Sequence, residues 1–221
     1  MTRARSAPRP RGGFFRGLGP RTRRLADFLE RRARAGADEW AELDARQARG
    51  LFRRRAIVFT DTANFTTRTF EYGILHFLML FERFVPEVEK DLPRRHGRLV
   101  KVEGDSLLLE YERLADACRG VNAIEALLRR RNRGLPERDR LQFSYGVGWG
   151  DVLDLGDDVF GLEVNLASKL GEDIARPGEA LLTPAAVQAL PAARRRSLRH
   201  YGEVQFGGVM VDLHRLPLSG R

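Results

Sequence analysis

Two short segments with strand character, residues 98–103 and 106–111, are separated only by Gly104 and Asp105. A glycine followed by a short polar residue between two such segments is typical of the tight turn of a β-hairpin. Because only two residues link the strands, they must lie side by side and run antiparallel. The sequence therefore predicts a hairpin over 98–111.

Two long helical patterns flank this hairpin, because apolar residues recur every three or four positions over 70–92 and over 114–131. The order of elements, β-α-β-β-α-β-α, predicts an α+β fold with a ferredoxin-like split-βαβ antiparallel sheet and helices packed on one side of it. The remaining predicted elements are strands at 56–60, 141–149 and 180–183, a helix at 161–175 and weaker strand character at 201–216.

Positive charge is concentrated in the first quarter of the chain. Residues 1–55 contain 16 Arg, no Lys and 6 acidic residues, although the whole chain has 39 basic and 30 acidic residues. We predict a disordered basic tail at 1–21, a helical connector or signalling helix at 22–55 and one folded domain at 56–217. The tail is compatible with contact to nucleic acid, with contact to an anionic membrane surface or with a solubilising role, and its sequence does not select among them.

The composition also excludes several classes of protein. A single cysteine, Cys118, excludes an internal disulfide and a cysteine-based metal cluster. No apolar run reaches the roughly 17–20 residues of a membrane helix, and the start of the chain lacks the apolar segment of a secretory signal. These features favour a cytoplasmic protein. An Arg-rich start also occurs in mitochondrial transit peptides, but the Pro and Gly residues within 1–20 disfavour the amphipathic helix of such a peptide.

Two aspartates follow or join predicted strands. Asp61 comes directly after the strand at 56–60, and Asp105 lies at the tip of the hairpin. In a split-βαβ sheet the first strand lies beside the hairpin, so the two carboxylates would form an oxygen-rich corner suited to Mg²⁺ or Mn²⁺ bound together with phosphates. Taken separately, each aspartate is better explained as a turn or cap residue.

The predicted helix at 161–175 carries a third polar group. Asn165 and Lys169 are four residues apart and therefore lie on one helix face. An amide and an ammonium pointing the same way can hold a sugar oxygen and a phosphate, although this pattern alone is more typical of a solvated face. Lysine is rare in this chain, with only Lys90, Lys101 and Lys169 among its 39 basic residues.

Three motifs taken together resemble the catalytic domain of the class III nucleotidyl cyclases, the adenylate and guanylate cyclases. F-T-D-x-x-x-F-T at 59–66 is similar to the first metal motif of that family, and K-x-x-G-D at 101–105 to the second. D-x-x-G-x-x-V-N-x-A-S-K at 158–169 is similar to the motif that contacts base, ribose and phosphate. The motifs occur in the family's order, and the resemblance extends from about residue 56 to about residue 190, less clearly to 216.

The resemblance implies a role for each matching residue. Asp61 and Asp105 correspond to the metal-binding aspartates, with the Thr62 carbonyl as an additional ligand. Lys101 and Asp158 correspond to the pair that contacts the purine. A lysine donates to adenine N1 and a carboxylate accepts from the N6 amino group, so this pair is of the adenine-selecting type.

Asn165 corresponds to the residue that orients the ribose, and Lys169 stands where most members carry an arginine that stabilises the transition state. Lysine keeps the charge of that arginine but loses its bidentate fork. Glu103 replaces a residue that is usually apolar, and we expect it to point away from the site as an acid of the sheet surface. If it faces the site instead, it would tune metal binding or weaken the hold of Lys101 on adenine. The strand region 204–209 lacks the lysine with which many members bind the terminal phosphates.

The resemblance thus implies an adenylate cyclase, a lyase that converts ATP into 3′,5′-cyclic AMP and pyrophosphate with two Mg²⁺ or Mn²⁺ ions per site. In the family one protomer supplies the metal aspartates and the other supplies the base-reading pair, the asparagine and the final cation. Both sets are present here, which predicts a homodimer with shared active sites. The alternative is a catalytically weakened cyclase-homology domain that binds nucleotide and regulates a partner protein. The sequence identifies no activating signal.

Overall fold

A computed structural model describes residues 19–47 and 50–219. The chain divides into two compact units, Met1–Phe52 with Asp154–Gly156, and Arg53–Leu153 with Asp157–Arg221. The predicted basic tail at 1–21 lies outside the described residues up to residue 18. None of the helices within the described ranges is both long and apolar enough to span a membrane.

The described part of the first unit contains the helices α1 (Pro20–Arg34) and α2 (Trp40–Gln47). The Arg32 guanidinium joins them, because it pairs with Asp44 at 2.8 Å and lies 4.3 Å from the centre of the Trp40 ring. The Trp40 indole N–H donates to the Arg32 carbonyl at 3.0 Å. Helix thus occupies much of the segment 22–55, whereas its residues 52–55 already belong to a strand.

Within the described residues the second unit is built on one eight-stranded sheet. Its strands are β1 (Phe52–Thr62), β2 (Gly97–Glu103), β3 (Ser106–Tyr111), β4 (Phe143–Asp154), β5 (Val159–Phe160), β6 (Ala180–Leu182), β7 (Arg199–Phe206) and β8 (Val209–Leu216). Seven strands follow the order β2-β3-β1-β4-β6-β8-β7, and β5 pairs with β4. Strands β4 and β6 are parallel, while β1–β3, β2–β3, β6–β8 and β7–β8 are antiparallel. The predicted hairpin and the antiparallel-dominated α+β fold are confirmed.

Helices cover both faces of this sheet, so the prediction of helices on one side only is wrong. The larger core lies between the strands and the helices α4 (Ile74–Asp91) and α5 (Leu114–Asn132). Phe81 and Phe84 of α4 pack edge-on against Phe143 of β4. The opposite face carries α6 (Leu162–Lys169), whose Ala167 packs over Phe59 and the other apolar residues that β1 turns to this side. Alternation along the strands thus gives both faces an apolar layer.

Two predicted helices differ from those observed. The pattern over 70–92 is divided into α3 (Phe65–Tyr72) and α4, because Gly73 adopts a φ of 83° that ends one helix and starts the next. The prediction of a single helix there is wrong. The predicted helix at 161–175 consists of α6 and a following π-helical turn, Leu170–Ile174.

The segment after β6 begins with a capped helix, as the sequence predicts. The Thr183 hydroxyl accepts a hydrogen bond from the Ala186 backbone N–H at 3.2 Å, which satisfies one of the free donors at the start of the helix. The two short helices here are α7 (Pro184–Ala189) and α8 (Ala192–Arg195).

A glycine of β4 decides how closely α6 approaches the sheet. A Cβ atom on Gly146 would lie only 1.9 Å from the Ala167 carbonyl oxygen, so any larger residue would push the helix away. The buried Glu163 carboxylate then fixes the helix, since it accepts from the Thr183 hydroxyl at 2.6 Å and from the Trp149 backbone N–H at 3.0 Å. The space that the small residues of β4 leave beside the sheet is therefore filled by α6.

Candidate active site

The candidate residues of β1 and of the β2–β3 hairpin lie on the face of the sheet that carries α6. Phe59 packs beneath α6, and Asp61 stands two residues further along the same strand, hence on the same face. Strand β3 pairs with β1, with Thr60 opposite Leu107. The end of β1 therefore lies beside the start of β3 and the turn at Asp105.

A bulge in β2 turns Lys101 to this same face. Leu99 lies opposite Leu109, but the register then shifts so that Lys101 lies opposite Leu108. Leu109 belongs to the core under α4 and α5, whereas Leu108 packs on the α6 side. Simple alternation from Leu99 would have buried Lys101 in the larger core, and the extra residue of the bulge reverses its direction.

Thr62 connects the two strand ends that carry the aspartates. Its buried hydroxyl donates to the Asp105 carbonyl at 2.6 Å, and its backbone N–H donates to the Asp105 carboxylate. The Asp61 carboxylate accepts a hydrogen bond from the Ser106 hydroxyl, on the first residue of β3. These bonds hold both carboxylates at one corner of the sheet, which we call the acidic corner (Asp61, Thr62 and Asp105).

Electrostatics at the acidic corner are unfavourable in the absence of a cation. Burial raises the pKa of Asp61 to about 7, with further contributions from the negative charges of Asp105 and Glu172. Burial also raises the pKa of Asp105. The pKa of Glu172 is raised by burial and then by Asp173, with smaller contributions from Glu103 and Asp105. Partly buried carboxylates that repel each other are stabilised when a cation binds between them.

The donor atoms at this corner fit a hard divalent cation. Carboxylate and carbonyl oxygens suit Mg²⁺ and Mn²⁺, and Mg²⁺ sites usually combine one or two carboxylates with water and substrate phosphates. No group of three or more His, Cys, Asp or Glu side chains in the described part of the chain is arranged as a metal site. The protein would thus supply only part of the coordination shell.

Lys101 and Asp158 form an ion pair on the α6 face. The Lys101 ammonium lies 3.2 Å from the Asp158 carboxylate and 3.1 Å from that of Glu103. Burial alone would lower the pKa of Lys101, but the hydrogen bonds that its ammonium donates to Glu103 and Asp158 outweigh burial and raise that pKa. The Val159 backbone N–H donates to Asp158 at 2.8 Å and orients its carboxylate. The expectation that Glu103 points away from the site is wrong, because its exposed side chain lies against Lys101.

Asn165 and Lys169 are both exposed on α6, one helical turn apart. The Lys169 ammonium pairs with Asp173 at 2.9 Å, and this hydrogen bond raises the pKa of Lys169. Among the described residues, neither side chain forms a hydrogen bond or ion pair with the acidic corner or with Lys101 and Asp158. The structure therefore groups the predicted site residues into the acidic corner, the predicted purine pair (Lys101 and Asp158) and the α6 pair (Asn165 and Lys169).

Three residues at this site were not predicted from the sequence. Ser106 orients Asp61, Glu172 adds negative charge next to the corner, and Glu163 anchors α6. Glu163 falls inside the motif at 158–169, but its burial follows only from the packing of α6 on β4. Ser106 could have been found from its position directly after the hairpin turn.

Comparisons with known proteins agree with this fold. No family model matches the chain. A curated protein of Rhizobium meliloti (strain 1021), "Putative adenylate cyclase 3", is 31% identical over 100 residues, which are 45% of this chain and 17% of that protein. An adenylate/guanylate cyclase/hydrolase from Silicibacter pomeroyi superposes with a TM-score of 0.65 at 23% identity, covering 75% of this chain and 96% of that one. An adenylate cyclase from Trypanosoma brucei, solved in its monomeric state, gives a TM-score of 0.62 at 20% identity over 76% and 91% of the two chains.

The fold of this chain is that of the catalytic domain of class III adenylate and guanylate cyclases, so the resemblance found in the sequence is confirmed. The matched segment spans about a sixth of the curated relative's length.

Proposed function

We propose that this chain is an adenylate cyclase that converts ATP into 3′,5′-cyclic AMP and pyrophosphate. The observation that carries the proposal is the Lys101–Asp158 ion pair at 3.2 Å, which sets a hydrogen-bond donor beside an acceptor. An ammonium only donates and a carboxylate only accepts, which matches the N1 acceptor and the N6 amino group of adenine. Guanine presents N1–H and O6 instead, so the same pair disfavours GTP.

The acidic corner would hold Mg²⁺ or Mn²⁺, two ions per site, through the carboxylates of Asp61 and Asp105 and the carbonyl of Thr62. Bound there, the ions would lower the pKa of the ATP 3′-hydroxyl and offset the charge of the triphosphate. Ser106 and the Thr62 backbone orient the two carboxylates through their hydrogen bonds. Both ligands are therefore positioned before any ion or nucleotide arrives.

The α6 pair would act on the sugar and phosphates. Asn165 would orient the ribose so that its 3′-oxygen lies in line with the α-phosphorus. Lys169 would donate to the phosphate and stabilise the charge that develops there, which is how proteins contribute most to phosphoryl transfer. To do so, Lys169 must exchange its present partner Asp173 for the phosphate.

The active unit in this proposal is a homodimer with two shared sites. One chain would supply the acidic corner, and its partner would supply the purine pair and the α6 pair. The exposure of Asn165 and Lys169, and their lack of contact with the acidic corner within the chain, support this division. A monomer would then be inactive.

A second candidate function is a catalytically weakened cyclase domain that binds nucleotide and regulates a partner. The pairing of Lys169 with Asp173 favours it, because a lysine already held by a carboxylate stabilises a phosphate less than a free arginine fork does.

The experiment that tests the proposal incubates the purified chain with Mn²⁺ and either ATP or GTP and separates the products by chromatography. Cyclic AMP as the main product supports an adenylate cyclase, and the Asp61→Asn variant gives the background. Nucleotide binding without turnover would favour the second candidate. Cyclic GMP as the main product would contradict the assignment of the purine pair.

A further inference from the structure

A cavity of about 710 Å³ lies between α5 and the segments that precede and follow the β7–β8 hairpin. None of the residues of the acidic corner, the purine pair or the α6 pair lines it. Its volume falls in the range of cavities that bind small organic molecules. The apolar part of its wall consists mainly of Leu190, Pro191, Leu198, Leu216 and Pro217.

The charged side chains that line this cavity are all arginines. Arg95 pairs with Asp91 at 2.7 Å, and Arg119 pairs with Asp116. Arg194 also lines the cavity and forms no ion pair with any described residue. Of the described residues, no aspartate or glutamate lies in the wall. An apolar wall next to uncompensated positive charge is complementary to a ligand with an apolar body and one anionic group.

The only cysteine of the chain, Cys118, also lies in the wall of the cavity. Burial raises the pKa of its thiol to about 11, while the positive charges of Arg194 and Arg119 act in the opposite direction. The two guanidinium groups are thus close enough to the floor of the cavity to influence a group there. Cys118 consequently provides a chemical reporter inside the cavity.

We propose that this cavity binds an amphipathic carboxylate, with the alkyl chain along the apolar wall and the carboxylate on Arg194. The arginine fork forms two parallel hydrogen bonds with a carboxylate, and such charge-assisted bonds are about twice as strong as neutral ones. Burying the alkyl chain supplies the remaining affinity. An alcohol of the same length would retain the affinity from burial of its alkyl chain and would lose the hydrogen bonds between carboxylate and arginine.

Equilibrium dialysis of radiolabelled decanoate against the full chain tests the proposal. We expect one saturable site, with decanol competing at least about tenfold more weakly. Arg194→Gln should weaken decanoate binding by at least about tenfold. Arg196→Gln is the matched control, because Arg196 is also exposed, lies two residues away and does not line the cavity. Absence of saturable binding, equal binding of decanol, or equal effects of the two substitutions would overturn the proposal.

Alkylation of Cys118 by N-ethylmaleimide locates the site. Decanoate should slow the reaction in the unmodified chain and in Arg196→Gln, and leave its rate unchanged in Arg194→Gln. Binding of decanoate with no change in the alkylation rate would place the ligand elsewhere and contradict the assignment. Neither readout depends on cyclase activity, so the result is separate from that of the proposed function.

Discussion

The acidic corner differs from Lys101 of β2 and Lys169 of α6 in whether its charges are neutralised within the chain. At the corner, Asp61 and Asp105 are held close together by hydrogen bonds, and burial with mutual repulsion raises the pKa of Asp61 to about 7. Lys101 and Lys169 already have carboxylate partners within the chain, at 3.1 to 3.2 Å and 2.9 Å. Binding of a cation would stabilise the corner, whereas each lysine would have to exchange one anionic partner for another.

This difference predicts a difference in the effects of mutation. Loss of a corner carboxylate would remove one of the two charged ligands proposed for the ions. A substitution at either lysine changes how readily the side chain exchanges its carboxylate partner for the nucleotide. The effects on activity should therefore be smaller and should depend on the nucleotide.

The largest effect is expected at the corner. Asp61→Asn or Asp105→Asn should lower the rate of cyclic AMP formation with Mn²⁺ by at least about 1,000-fold, because each removes a charged ligand to the ions. Circular dichroism should show an unchanged fold. Glu89→Gln, a change at an exposed acid of α4, is the control and should retain full activity. Activity within about tenfold of the unmodified chain in either aspartate variant would contradict the metal assignment.

The next effect concerns the purine pair. Lys101→Glu combined with Asp158→Cys should shift the ratio of kcat/KM for ATP over GTP towards GTP by at least about tenfold, since a carboxylate accepts from guanine N1–H. Lys101→Glu alone is the comparison, because it places a new carboxylate next to those of Asp158 and Glu103. If the double variant keeps the original ratio, these residues do not contact the purine.

A smaller effect is expected on α6. Lys169→Arg should maintain kcat or raise it by a factor of about 2 to 5, because the guanidinium fork binds phosphate oxygens in two places. Lys90→Arg on α4 makes the same chemical change away from the site and should leave kcat unaltered. A collapse of kcat in Lys169→Arg would show that the site requires the smaller ammonium.

The smallest effect concerns stability without metal. The pKa of Asp61 is raised on folding, so the folded state holds its proton more tightly than the unfolded state, and stability should fall as pH rises from about 4 towards 8. In the presence of a chelator, the stability of Asp61→Asn should fall by about 1 kcal/mol less than that of the unmodified chain over this pH range. This value is reduced because Asp61 is partly exposed. Urea unfolding at about pH 5 and pH 8 measures it. If the variant shows the same pH dependence as the unmodified chain, ionisation of Asp61 does not destabilise the folded state.

Much of this fold could be predicted because local patterns carried it. The two-residue turn at Gly104 and Asp105, the period of the helix at 114–131 and the capping Thr183 each depend on residues close together in sequence. Tertiary contacts decide the features that the sequence did not indicate. The bulge beside Lys101 depends on pairing with β3, and the position of α6 depends on Gly146 of another element.

The candidate site shows the same division. The motifs identify Asp61, Asp105 and Asn165 by type and spacing, and a local pattern suffices for that. The ion pair of Glu103 with Lys101 could not be foreseen, because it follows from the bulge that sets the direction of β2 side chains. Residues within one strand thus depend on pairing with a second strand for the face on which they act.

In the proposed homodimer two chains complete each other's sites, and a mixture of two inactive variants tests this arrangement. Asp105→Asn and Asn165→Ala should each be inactive alone. A heterodimer would combine the intact acidic corner of the second variant with the intact α6 pair of the first. An equal mixture with random pairing should therefore recover about a quarter of the activity of the unmodified chain. If differently tagged copies show that heterodimers form and no cyclic AMP is produced, the shared-site account is wrong.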